Sequence, residues 1–240
     1  MTHENLVQVR KNHLFNLSNL NSWLNENLSV YGKVKDIKQF VGGQSNPTFV
    51  LYFEKRNALI LRKKPPGKLL PSAHAIEREY KVQKALEKTE VPCPKMIKIS
   101  HDETIIGTPF YLMELVEGIV FESILDIEKE KNRRDYYFEL VRMLARLHNV
   151  NISKVGLNDF GKIGDYIKRQ IVRWEKQWYL SKQRELPEMQ KIIDWLNNNI
   201  PKFDNTTIVH GDYRIGNVIF DNKSERINAV KLSRCSTKES

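Results

Sequence analysis

The sequence predicts an α+β fold of two lobes, an antiparallel sheet with attached helices followed by a mostly helical half. Three observations predict it. Short β-rich runs crowd residues 1–115, three long segments of helical periodicity follow, and a Glu117-Gly118 step lies between the two regions. The 240 residues suffice for one large domain or two small ones, each with its own core. The boundaries fall at 1–115, 116–230 and a divergent polar tail, 231–240.

Leu17, Leu20, Leu24 and Leu28, with Trp23, recur at three- and four-residue spacing and predict an opening amphipathic helix. Val34 to Phe40, Thr48 to Phe53 and Leu59 to Leu61 are β-rich runs separated by Gly42-Gly43 and by Glu54-Lys55-Arg56-Asn57, the layout of a meander. A turn at Pro65-Pro66-Gly67 leads to a helix over 75–86, which Val91-Pro92-Cys93-Pro94 stops. Met96 to Ser100 and Phe110 to Leu115 complete the strands of the first half. Helices are predicted from Arg133 to Asn149, from Tyr166 to Leu180 with Ile167, Ile171, Trp174 and Trp178 on one face, and from Leu186 to Ile200. Ile208-Val209, a polar loop, Val218-Ile219-Phe220, a turn at Asp221 to Ser224 and Ile227 to Val230 then predict a late hairpin.

Composition narrows the partners. No run of about 18 uncharged apolar residues appears, so a helical membrane span is excluded and a soluble chain is expected. Met1 to Asn5 lacks the basic-then-apolar layout of a secretory leader, and the two cysteines, Cys93 and Cys235, cannot build a disulfide framework or a zinc site alone. An intracellular, by default cytoplasmic, protein with reduced thiols is expected. The net charge of +10 raises nucleic acid as a partner, but the cations are scattered among acids. The densest patch, Arg62-Lys63-Lys64 with Lys68, suits the phosphates of a small molecule better than a nucleic-acid backbone.

The stretch that carries most chemistry is His210-Gly211-Asp212-Tyr213-Arg214-Ile215-Gly216-Asn217, between two strand-like runs. An Asp and an Asn five residues apart on such a loop match the kinase catalytic-loop pattern, in which the Asp takes the acceptor hydroxyl's proton and the Asn holds magnesium. The chemistry of phosphoryl transfer explains the residue types, since a carboxylate orients a hydroxyl and an amide oxygen binds a hard cation without adding charge beside a triphosphate. The same residues also suit a polar turn closed on its own backbone.

With that loop, Gly42-Gly43-Gln44-Ser45-Asn46-Pro47-Thr48, Leu61 to Gly67, Met113-Glu114 and Glu117-Gly118 stand in order along roughly Val30 to Val230. In these motifs the chain resembles the aminoglycoside and choline kinase-like phosphotransferase superfamily. Within it, the chain is most similar to the kinase-like domain that precedes the dehydrogenase domain in members 10 and 11 of the acyl-CoA dehydrogenase family. The resemblance implies a bilobed protein-kinase-like fold, ATP and Mg2+ as cofactors, and a small-molecule alcohol as acceptor, here a hydroxyacyl-CoA or related hydroxy acid. FAD would belong only to a longer parent carrying the dehydrogenase. Peroxisome and mitochondrion join the cytoplasm as compartments on the same ground.

On this alignment Gly42 and Gly43 let the backbone approach the nucleotide phosphates, and Ser45, Asn46 and Thr48 supply donors. Arg62, ending the third strand, stands where kinases place a phosphate-binding lysine, and Glu79 is its expected partner with Glu77 in reserve. Solvated charges on an exposed face are the plainer alternative for this pair. Met113 would shape the adenine pocket or serve as ordinary core, and the backbone of Glu114 and Val116 would meet the adenine edge. Asp212 would be the base and Asn217 the metal ligand.

The chain also departs from the pattern. Kinase-like folds present a second magnesium-binding Asp after the hairpin, in an Asp-Phe-Gly or Ile-Asp-Trp-like motif, whereas here Ala229-Val230 runs into Lys231-Leu232-Ser233-Arg234. The resemblance therefore implies a C-terminally truncated member with weak or absent catalysis. Two alternatives stand beside a working kinase: an inactive kinase-like binding module, and a fragment of a larger FAD-dependent dehydrogenase.

Overall fold

A computed structural model describes residues 6–41, 46–65, 76–161, 164–201, 206–232 and 235–239, with backbone alone for 236–239. Its first half is a six-stranded antiparallel sheet of order β1-β2-β3-β4-β6-β5. The strands are β1 (Leu6–Val7), β2 (Val34–Phe40), β3 (Thr48–Phe53), β4 (Leu59–Lys63), β5 (Met96–Ser100) and β6 (Phe110–Glu114). Helices α1 (Leu17–Leu28) and α3 (Glu103–Ile106) cover one face, and α2 (Ile76–Leu86) packs on the other.

Strand alternation assigns every side chain to one of these faces. Phe49, Leu51, Leu59, Leu61, Phe110 and Leu112 join Leu20 and Leu24 of α1, while Val50, Ile60, Tyr111 and Met113 join Ile76 of α2. Leu20 and Leu24 are almost fully enclosed, and each such burial contributes about 1.5–3 kcal/mol. The Asn16 side chain caps α1 by accepting from the Asn19 N–H at 3.1 Å.

The second half contains α4 (Ile124–Ile127), α5 (Arg133–His148), α6 (Tyr166–Ser181) and α7 (Pro187–Asn198), then β7 (Thr206–Val209), the hairpin β8 (Val218–Phe220) with β9 (Ile227–Val230), and β10 (Ser236–Glu239), which pairs antiparallel with β7. Its core gathers Tyr136, Met143 and Leu147 of α5, Phe220, Val230 and Leu232, together with Val82 and Leu86 of α2. Helix α2 thus packs against both halves. Arg78 stacking 4.3 Å from the Phe160 ring and Lys81 paired with Asp159 at 2.6 Å add to that bridge.

The sequence expectations meet the structure closely in the long elements and less well elsewhere. β1, α3, α4 and β10 are additions, because two- and four-residue elements carry no readable period. α3 and α4 are legible through their ends instead: Asp102 caps the first, and Ser123 with Asp126 forms a capping box for the second. The residues 231–240, expected as a polar tail, contribute a strand whose polar composition gave no β signal. In α6 only Ile171 is buried, and Trp174 stays exposed alongside Leu180 of the same helix and Trp195 of α7. Periodicity there identified the helix without identifying a cover for its apolar side. Among the described residues no helix is long and apolar enough to cross a membrane.

Between the halves, the chain leaves β6 through Leu115 to Gly118 and pairs at once with the hairpin. The Ile119 N–H donates to the Phe220 carbonyl at 2.9 Å and the Phe220 N–H to the Ile119 carbonyl at 2.8 Å. A Cβ on Gly118 would lie 2.1 Å from the Phe220 oxygen, so only glycine fits this crossing. Gly118→Ala is expected to cost about 3 kcal/mol. Gly156→Ala, at a φ of 72° with open space around it, should cost about 1 kcal/mol. Urea unfolding of the two variants checks this, and equal losses would show that the crossing yields.

Candidate active site

Two groups of side chains build the candidate site, one on the sheet and α2, the other on the loop between β7 and β8. The first follows from register. Thr48 pairs across β3 and β4 with Arg62, and Arg62 pairs across β4 and β6 with Tyr111, so the three form one row on the α2 face. Glu79, on the first turns of α2, sits over that row.

Its carboxylate is satisfied from four directions. Arg62 Nε donates to Oε2 at 2.7 Å and the Tyr111 hydroxyl to the same oxygen at 2.9 Å, while Asn46 Nδ2 and Arg62 Nη2 donate to Oε1 at 2.9 and 3.4 Å. Burial opposes the Arg62 charge, but the Glu79 carboxylate and the neighbouring Tyr111 together outweigh it and hold the guanidinium pKa above its ordinary value. Tyr111, enclosed and beside the same carboxylate, is pushed well above the usual phenol range. Thr48 Oγ1, in the same row, accepts from Arg62 Nη1 at 2.9 Å and donates to the Asn46 carbonyl at 3.1 Å.

Lys68 lies outside the described residues, and the rest of the expected basic patch dissolves under the same alternation. Arg62 meets Glu79, Lys64 donates to Glu77 at 2.7 Å, and Lys63 turns to the opposite face, 5.4 Å from the Phe15 ring. Burial holds the Lys63 pKa below its ordinary value. Glu77, the reserve partner for Arg62, therefore belongs to Lys64.

Asn46 and Thr48, expected to face phosphate, direct their side-chain donors into the Glu79 network. Gly42, Gly43 and Ser45 lie outside the described residues. Met113 is buried among Ile60, Met96 and Tyr111 on the α2 face, in the core alternative for it. The Glu114 N–H is spent on the Lys95 carbonyl at 2.9 Å, and Val116 follows in the partly buried connection to Gly118.

The second group sits on the loop. Gly211 takes a φ of 77°, the left-handed conformation that places glycine between His210 and Asp212. His210 is buried, its Nδ1 accepts from the Asp212 N–H at 3.3 Å, and burial pulls its pKa below the ordinary value, so the ring is neutral. Asn217 Nδ2 donates both to the Asp212 carbonyl at 2.8 Å and to its carboxylate Oδ2 at 3.1 Å. Arg214 Nε stands 3.8 Å from Asp212 Oδ1. Helix α5 holds the loop and the strand before it: Tyr213 donates to the Leu140 carbonyl at 2.7 Å, and Thr207 on β7 to the His148 carbonyl at 2.5 Å. Asp212 and Asn217 are thus joined directly, as a catalytic pair would be and as a self-closed turn would be.

Three residues of the site went unread in the sequence. Tyr111 was hidden because register, not local pattern, brings it to Glu79. Arg214 looked like one more scattered cation. Lys231, whose N–H donates to the Asn217 carbonyl at 2.8 Å, was visible as a lysine directly after a buried strand, which is a signal of placement rather than solvation.

A sheet with one bridging helix, a glycine crossing and an Asp-Asn loop on a helical half define the kinase-like phosphotransferase fold. Residues 36–230 match the phosphotransferase enzyme family (APH), and the chain belongs to it. It is 40% identical to human acyl-CoA dehydrogenase family member 11 over 232 residues, which is 94% of this chain and 30% of that protein. With mouse acyl-CoA dehydrogenase family member 10 it shares 43% over 196 residues, 81% of this chain and 18% of the relative. The chain therefore spans less than a third of these curated relatives. Among solved structures, a candidate aminoglycoside phosphotransferase from Ralstonia eutropha superposes with a TM-score of 0.80 at 37% identity, covering 93% of this chain and 66% of that one. An aminoglycoside phosphotransferase APH(4)-Ia mutant, in ternary complex with ADP and hygromycin B, superposes at 0.62 with 14% identity over 92% and 73%, a likeness of fold.

The Glu79 network generates a stability prediction. Glu79→Ala strands a buried guanidinium and should cost about 3–5 kcal/mol. Glu77→Ala, on a partly exposed pair, should cost less than about 1 kcal/mol. Denaturant midpoints of the two variants separate them, and similar losses would mean that the Glu79 carboxylate is not the tie between α2 and the sheet.

Proposed function

We propose that the chain is the nucleotide-binding phosphotransferase domain of a larger protein, taking ATP against Arg62 and presenting Asp212 to the hydroxyl of a small-molecule acceptor. The observation that carries this reading is the Asp212–Asn217 contact on a loop fixed by α5. In the reaction the acceptor oxygen attacks the γ-phosphorus, the bond from that phosphorus to the bridging oxygen breaks, and ADP leaves. The hydroxyl proton passes to the Asp212 carboxylate. Arg62 retains part of its guanidinium fork after meeting Glu79 and Thr48, and so has donors to offer a phosphate. The solved relative with ADP and hygromycin B supports nucleotide plus small-molecule alcohol as the ligand classes. The names of the longer relatives support a hydroxyacyl-CoA or related hydroxy acid as acceptor.

A second reading, a binding module with little turnover, is favoured by one observation. After β9 the chain places Lys231 and the buried Leu232 where a metal-binding carboxylate would follow. The fragment reading draws support from the share of the relatives' length that the chain spans, beside the exposed Trp174, Leu180 and Trp195 of α6 and α7.

Calorimetric titration of ATP into the chain tests the binding half, and absence of heat at millimolar nucleotide would remove it. For the chemical half, Asp212→Asn is made in a chain lengthened by the relatives' following segment. Turnover should fall roughly 10²- to 10⁴-fold with nucleotide affinity little changed. Near-normal transfer by that variant would take the base role away from Asp212.

A further inference from the structure

Away from the candidate site, the Gln39 side chain on β2 is held in an unusually determined way. Strand alternation turns it to the α1 face, where it is 2% exposed. A buried amide needs partners at both ends, and residues 6–15 bring them. This segment runs along the edge of the sheet. β1 pairs antiparallel with β2, Leu6 opposite Phe40 and Val7 opposite Gln39, a 3-10 turn follows at Lys11–His13, and the Phe15 ring lies edge-on to Phe49 at 5.4 Å.

The hydrogen bonds decide which end of the amide goes where. The Arg10 N–H donates to Gln39 Oε1 at 3.1 Å, and a backbone N–H can only donate. The amide nitrogen is thereby committed to the other side, where it meets Nδ1 of the half-buried His13 at 2.7 Å. An amide NH2 donates and does not accept, so His13 Nδ1 accepts and carries no proton. The Arg10 guanidinium completes the closure by donating to the Val41 carbonyl at 3.1 Å, at the exit of β2.

This geometry has no place for a proton on the ring. A charged imidazole presents N–H groups at both nitrogens, so Nδ1–H would face the Gln39 NH2. Turning the amide over would satisfy His13 and set the NH2 against the Arg10 N–H instead. Either way a donor loses its acceptor, which favours an open segment. The surrounding charges act in the same direction. Arg10 and Lys11 stand on the segment itself, and Lys63 of β4 reaches the same face, 5.4 Å from the Phe15 ring. β1 and β3 carry no charged residue, Lys35 lies at the bulge near the start of β2, Asp36 and Lys38 pair at 3.4 Å on the opposite face, and the one charge of α1, Glu26, is in its last turn. Among the described residues only His101 has a carboxylate within 4 Å, Glu77 at 3.9 Å.

We propose that residues 6–15 form a pH-sensitive strap over the α1 face of the sheet, latched through Gln39 while His13 is neutral and released when the ring takes a proton. Imidazole is the side chain that changes charge between about pH 5 and 8, so the strap responds within that window, closed at its upper end and open at its lower. Release frees the Val41 carbonyl and lifts Phe15 from Phe49 and from Lys63, which is only 3% exposed in the latched form. None of these groups belongs to the Asp212 loop or to the Glu79 network, so the strap is independent of the nucleotide reading.

Amide hydrogen exchange of the whole chain, followed by NMR at about pH 7.5 and about pH 5.5 and corrected for intrinsic rates, tests the strap. The Arg10 amide should lose roughly tenfold or more of its protection on acidification. The Phe220 amide, bonded to the Ile119 carbonyl in the other half, should keep its own. His13→Gln supplies an oxygen that accepts from Gln39 and does not titrate, so protection of Arg10 should become independent of pH. Gln39→Glu accepts from Arg10 and His13 alike and favours the charged ring, so the fall should vanish or reverse. Equal protection of Arg10 at both pH values in the wild-type chain, a fall that persists in His13→Gln, or one shared in full by Phe220 overturns the proposal. Should Gln39→Glu fail to fold, as read by circular dichroism, the comparison of His13→Gln with the wild-type chain still decides it.

Discussion

A carboxylate carried into the space between a helix and a sheet is tolerated only where donors meet its lone pairs, and Glu79 imposes that condition on the first half of the chain. Its four donors come from β4, β6 and the approach to β3, so α2 can dock only if those strands pair in the observed register. A one-residue slip of β4 would send Arg62 to the α1 face and bring Lys63 to Glu79. The network therefore fixes register, helix position and the aim of Arg62 together.

From α2 the constraint passes to the helical half. Val82 and Leu86 share the core of α5 and the β8–β9 hairpin, so the helix that holds Glu79 also seats the hairpin. The hairpin in turn touches the inter-lobe crossing at Gly118, where backbone meets backbone without room for a side chain. These contacts pin the chain by core packing around the loop, and the loop itself is held by α5 through Tyr213, with Thr207 holding the strand before it. Polar chemistry is thereby left to the few groups at the seam.

At that seam the balance of charge differs from the family pattern. Where the resemblance expects a carboxylate after β9, the chain has Lys231. The exchange is electrostatic and local, and it leaves the surrounding packing intact: Val230 and Leu232 stay in the core on either side of Lys231.

The long elements, the two-lobed layout and the Asp212-Asn217 loop were legible in the residues alone, because periodicity, glycine punctuation and motif spacing are properties of neighbours along the chain. The same reading brought Glu79 forward as the companion of Arg62, since only one of two nearby acids on a helix shares a face with a given strand end. The rest came from folding in three dimensions. Strand parity sent Lys63 away from the site, register delivered Tyr111 to Glu79, and the inward turn of Asn46 and Thr48 followed from a buried carboxylate's need for donors. The docking of α2 joined the two cores. Each of those outcomes depends on which distant groups compete for the same buried space and charge, and no local pattern records that competition.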